Sequence, residues 1–168
     1  MLIYNPAFDI QHAIFRVLRL LTASPKEDFE VDRIRVLDFF LLFPEQLEAL
    51  RFPGAIRNQR SLFVAGYNPY RSLENPRRIF FELEPFQISA LHCLAAYDLV
   101  DNEKFKAGFV TRTQKPAPPT LAEAIDKRNA ESKILVDLLS VEFAKLPFFG
   151  EGGLKERSNL VEVRYDPT

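Results

Sequence analysis

The sequence predicts a mainly α fold with small β elements, an α+β chain with a winged helix-turn-helix-like core and a long C-terminal helix. Three observations lead there. Apolar residues recur at helical spacing near both ends, prolines and capping residues divide the middle into shorter helices, and alternation is confined to brief stretches.

Residues 2–4 read as a short strand stopped by Asn5-Pro6. Asp9 is placed to cap a first helix, because its carboxylate can accept the unpaired amides of the opening turn. Ile10, Ala13, Ile14, Val17, Leu18 and Leu21 then form one apolar stripe, with His12, Arg16 and Arg19 on the opposite face. Lys26-Glu27-Asp28 is a solvated break. A second helix is expected from about Val31 to Phe43, with Asp32, Arg33 and Arg35 on its wet side. It is apolar nearly all round at Leu37–Phe43, which implies contact on two sides. Pro44 ends it, and Glu45–Leu50 suits one more helical piece.

Arg51–Asn75 is the least regular stretch, punctuated by Pro53-Gly54, Gly66 and Asn68-Pro69, with Ser61–Ala65 as a short strand. Asn75-Pro76 puts a capping residue before proline at the first helical position. Glu84-Pro85 is expected to end that helix and Pro85 to open another, which closes at Leu99-Val100-Asp101. Phe105–Thr113 reads as a hairpin or single strand around Gly108, and Lys115–Pro119 as a stiff, extended connector. Thr120 and Glu123 match a capping box for a long helix carrying Leu121, Ile125, Leu135, Leu139, Phe143 and Leu146 on one side. Gly150–Gly153 ends it, and Val161, Val163 and Tyr165 alternate with polar residues as a C-terminal strand. Residues 1–114 are thus expected to form the winged-helix-like domain. Residues 115–168 supply the proline-rich connector, the long helix and a strand packed on that domain.

At 168 residues and 47% hydrophobic, the chain can build a core without a metal or disulfide. Its one cysteine, Cys93, lies in an apolar run and suits a buried, inert thiol in a reducing cytosol. No stretch approaches the ~20 apolar residues of a membrane helix, and Met1–Pro6 has no signal-peptide pattern, so cytoplasmic residence is expected.

Catalysis finds little support. The chain contains no phosphate loop, no Gly-x-Ser-x-Gly elbow and no His-Glu-x-x-His. Two histidines and one cysteine do not make a common zinc site. His92 and Cys93, adjacent on a helix, point about 100° apart and are poorly placed to share a proton. No catalytic residue, metal or cofactor is expected.

Partner binding is the better-supported class. Net charge is only −1, yet residues 51–78 hold six arginines against Glu74, leaving the rest of the chain net acidic. Arg57, Arg60 and Arg71 are interleaved with Phe63, Tyr67 and Tyr70, a mixture that grips phosphates or an acidic protein surface. The competing reading pairs these arginines with the chain's own acids. His12, Arg16 and Arg19 are a second candidate contact line, against which stands a cap followed by a solvated face. The apolar excess at Leu37–Phe43 and Phe148-Phe149 would serve an interface if exposed. The helix at the DNA-reading position, Phe86–Asp98, offers only Gln87, Ser89 and His92 to base edges, so a winged helix here suits protein docking better than DNA reading.

Tyr4-Asn-Pro-Ala-Phe-Asp-Ile-Gln-His-Ala-Ile-Phe-Arg-Val-Leu-Arg-Leu-Leu21 resembles the opening of the middle components of bacterial ABC three-component defence systems. Arg33–Pro44, Pro76–Gln87 and Leu99-Val-Asp101 resemble that family's later helices, so the likeness spans about residues 3–113. The resemblance implies an accessory subunit beside an SMC-like ABC ATPase and a nuclease-type effector, as in Lamassu-like immunity. DNA would be met through the complex, and no membrane would be involved. A stand-alone winged-helix DNA-binding regulator is the alternative.

Overall fold

A computed structural model describes residues 5–25, 27–64 and 73–161. Helix α1 (Ile10–Ala23) starts where Asp9 Oδ1 accepts the His12 amide at 3.0 Å. Its stripe enters the core as expected through Ala13, Val17, Leu18 and Leu21, whereas Ile10 stays exposed. Strand β1 (Asp28–Glu30) leads directly into α2 (Val31–Leu42). Helix α2 is buried all round from Arg33 to Leu41: Leu37 and Phe39 have no exposed surface, and Phe40 and Leu41 are buried. The apolar run at 37–41 is therefore core and not an exposed patch. Phe148, also buried, stacks edge-on against the half-buried Phe149 at 4.9 Å.

A 3-10 turn (Pro44–Glu48) follows, then a second (Gly54–Gln59) and the short α3 (Arg60–Val64). The segment read as a strand at 61–65 is thus helical through Val64. Helix α4 (Pro76–Ala96) opens at Asn75, whose Oδ1 accepts the Arg78 amide. It does not stop at Pro85. A proline inside a helix removes one backbone hydrogen bond and crowds the preceding turn. The helix continues because Phe80 and Leu83 before it, and Gln87, Leu91 and Leu94 after it, are all buried against α1 and α2.

Phe105–Thr113 takes the single-strand alternative and not the hairpin. Asp101 caps a one-turn helix, α5 (Asn102–Lys106), before β2 (Phe109–Thr111). Strand β2 pairs antiparallel with β1, Phe29 opposite Val110, and Val100 bridges to Arg112. The expected long helix is interrupted. Helix α6 (Pro119–Glu131) starts one residue before Thr120 with no side-chain cap, so the capping box does not form. At Ser132 the chain bends into α7 (Lys133–Asp137), a π turn (Leu138–Glu142) and a 3-10 turn (Phe143–Lys145). Gly153 then precedes α8 (Leu154–Ser158), which the glycine-rich sequence did not suggest. The C-terminal strand at 161–165 and the N-terminal strand at 2–4 lie largely or wholly outside the described residues. Ile125, Val136, Leu139, Phe143 and Leu154 share one core with α1, α2 and α4.

Candidate functional site

Arginines divide into a buried set and an exposed set, and the division differs from the one expected from pattern alone. Arg16, Arg33 and Arg35, assigned to wet helix faces, are inside. Arg16 Nε donates to Asp38 Oδ1 at 2.6 Å and Nη2 to Oδ2 at 3.2 Å. Gln87 Nε2 donates to the same Oδ2 at 2.8 Å, tying α1, α2 and α4 to one carboxylate. Arg35 Nη1 meets Asp32 at 2.7 Å, Nη2 stands 2.6 Å from Glu84, and the guanidinium lies 4.6 Å over the Phe80 ring. Arg33 pairs with Glu30 at 2.6 Å and donates to the Phe143 carbonyl at 3.1 Å, joining α2 to the C-terminal segments. Each of these charges is repaid for lost hydration by a carboxylate at hydrogen-bond distance.

Arg19 is buried too, on different terms. Its Nε donates to Asn129 Oδ1 at 3.0 Å and its Nη2 to Ser132 Oγ at 2.6 Å, while Asn129 Nδ2 returns a bond to the Arg19 carbonyl. This clasp sits at the bend between α6 and α7. Burial, with Arg128 and Arg16 nearby, holds the Arg19 pKa below its ordinary value. His12 is exposed on the same helix. His12, Arg16, Arg19 and Arg128 line one cleft with Phe15 and Leu41.

The exposed set gathers at the other candidate segment. Arg57 and Arg60 are exposed as expected and line one cleft with Arg51 and Arg157. The 3-10 turn at Gly54–Gln59 presents Arg57, and α3 presents Arg60, whose Nη2 donates to the Glu48 carbonyl. Arg157 comes from the far end of the chain on α8. Its Nη1 donates to the Arg51 carbonyl at 2.9 Å and its Nε to the Gly152 carbonyl at 2.6 Å. Arg51 Nη2 in turn reaches Glu156 at 3.4 Å. The Arg57 side chain has no hydrogen bond or ion pair among the described residues. Four guanidinium groups thus converge with two acids nearby, Glu48 and the paired Glu156, so the cleft is positive. Tyr67, Tyr70 and Arg71 lie outside the described residues.

Arg157 was not a sequence-level candidate. The sequence there offers two basic residues after Gly153, Lys155 and Arg157, and nothing local links either to residue 51. Cys93 is half-buried, and His92 stacks edge-on to Phe105 at 4.9 Å. Among the described residues no His, Cys, Asp and Glu group could hold a metal ion, and no helix is long and apolar enough to cross a membrane.

A family model described as "ABC-three component (ABC-3C) system Middle Component 5" matches residues 2–166. No match is found among curated proteins or among solved structures.

Proposed function

Because the chain belongs to the Middle Component 5 family of ABC three-component systems, we propose that it is a non-catalytic adaptor joining two larger subunits of such a system. The partners we assign are an SMC-like ABC ATPase and a nuclease-type effector acting in antiphage or antiplasmid defence. The observation that carries the docking role is the cleft of Arg51, Arg57, Arg60 and Arg157. Arginine forks suit carboxylates and phosphates, and they are enriched where proteins meet.

An acidic protein surface is the favoured occupant. The chain outside residues 51–78 is net acidic, so its overall field disfavours the approach of a DNA duplex. A winged-helix core fits the same reading. In support, α1, α2 and α4 precede β2, which pairs with β1, and the Val100–Arg112 bridge, so α4 would serve as the recognition helix of such a core. The exposed face of α4 carries Phe81, Glu82 and His92, with the exposed Tyr97 just past its end, a surface better matched to a protein than to base edges.

Co-expression with the ATPase and the effector, followed by size-exclusion chromatography, tests the proposal. The expected result is co-elution of wild type and loss of one subunit by the Arg51→Gln/Arg57→Gln/Arg60→Gln variant, with its circular dichroism unchanged. Separate elution of the wild-type chain at low salt would overturn it.

A further inference from the structure

We propose that the cleft between α1, the end of α2 and α6 is an oxyanion site, taking a phosphate or carboxylate group against Arg19 and Arg128. This site is separate from the docking cleft and does not rest on the adaptor reading. The case begins with a comparison inside the molecule. Four arginines are buried among the described residues: Arg16, Arg19, Arg33 and Arg35. Three have a carboxylate oxygen 2.6–2.7 Å away, in Asp38, Glu30, and Asp32 with Glu84. Arg19, only 6% exposed, has none within 4.0 Å among the described residues. Its two partners, Asn129 and Ser132, are neutral.

A buried guanidinium without a counter-charge is costly, and it has little route to neutrality because arginine holds its proton so firmly. The surroundings sharpen the deficit. Burial, then Arg128 and Arg16, push the Arg19 pKa down, and Glu131, which pushes it up, is already 3.2 Å from Arg128. The cleft's lining contains His12, Arg16, Arg19 and Arg128 and not a single acid. Arg19 Nη1 has no hydrogen-bond partner among the described residues and is not sealed in the interior. An oxyanion in the cleft supplies the missing charge to Arg19 and a second contact to Arg128, with Phe15 and Leu41 as apolar walls.

The test is a titration of the full chain at constant ionic strength, read by ¹⁵N shifts of the arginine Nε groups. Inorganic phosphate and glutarate are the two probes. Saturable binding of phosphate alone assigns a phosphate-bearing ligand, of glutarate alone an acidic side chain or terminus, and of both a general oxyanion pocket; each supports the site. Arg128→Gln, at an exposed position, should weaken binding about tenfold, the loss of one charge-assisted hydrogen bond. Arg57→Gln, in the other cleft, should leave it unchanged. The proposal is overturned if neither probe saturates, or if Arg57→Gln abolishes binding while Arg128→Gln does not.

Discussion

Arg16 on α1 and Asp38 on α2 meet at 2.6 Å in the interior, 22 residues apart, and Asp38 has no exposed surface at all. Removing one partner of such a pair strands the other charge, whereas replacing both with apolar residues does not. Asp38→Ala should therefore lower unfolding free energy by about 3–5 kcal/mol in urea titrations. Arg16→Met/Asp38→Leu should be less damaging than Asp38→Ala alone, since Gln87 keeps its bond to the Arg35 carbonyl at 3.3 Å. A double variant less stable than the single would show that the pair is worth more than the packing that replaces it.

Gly153→Ala should destabilise without any backbone-conformation penalty. A Cβ at this position would stand 2.6 Å from the Phe149 carbonyl oxygen and 2.7 Å from that of Phe148. These are backbone atoms, so relief requires α8 to move. The cost is about 1–3 kcal/mol, or a Tm lower by about 2–4 °C per kcal/mol, measurable by calorimetry. Movement of α8 also carries Arg157 away from Arg51, so docking should weaken in the same variant.

Ser140→Ala should stabilise. The hydroxyl lies in the π turn, fully buried, with no hydrogen-bond partner among the described residues. Removing an unsatisfied polar group at nearly constant volume gains about 1 kcal/mol. A Tm below wild type in thermal melts would indicate a partner, such as an internal water, that the hydroxyl holds.

Alkaline pH should loosen the contact of α5 with the β1–β2 pair. Lys104 on α5 bonds Asp28 Oδ1 at 2.8 Å, and Thr111 Oγ1 donates to the same oxygen at 2.6 Å. The bond to Asp28 raises the lysine pKa above its ordinary 10.5. Because the folded pKa is the higher one, the contribution is complete below the unfolded value and is lost as pH rises through the folded value. Urea titrations from about pH 9 to pH 12 should show the advantage of wild type over Lys104→Met shrinking across that window. An advantage independent of pH would mean that the lysine stem, not its charge, holds α5 to β1.

Some of this molecule was legible from residues near one another in the chain. Asp9 before an apolar 3-4 stripe defines α1, Asn75-Pro76 defines the start of α4, and Pro44 defines the end of α2, because caps and prolines act over a single turn. The arginine-rich stretch was likewise visible as a surface candidate, since Arg57 and Arg60 have little acid close in sequence. Tertiary structure decided the rest, for reasons of distance and burial. Arginine on a helix face reads as solvated until a carboxylate from another element arrives, so Arg16 went inside because Asp38, itself held by Gln87, meets it there. Pro85 stays helical because buried residues on both sides hold the axis, an effect no local propensity contains. Strand β1 exists because β2 pairs with it from about 80 residues away, and α8 delivers Arg157 to Arg51 across a still longer interval. Local rules chose the turns and caps, while burial against distant partners chose which charges face water and which hold the core together.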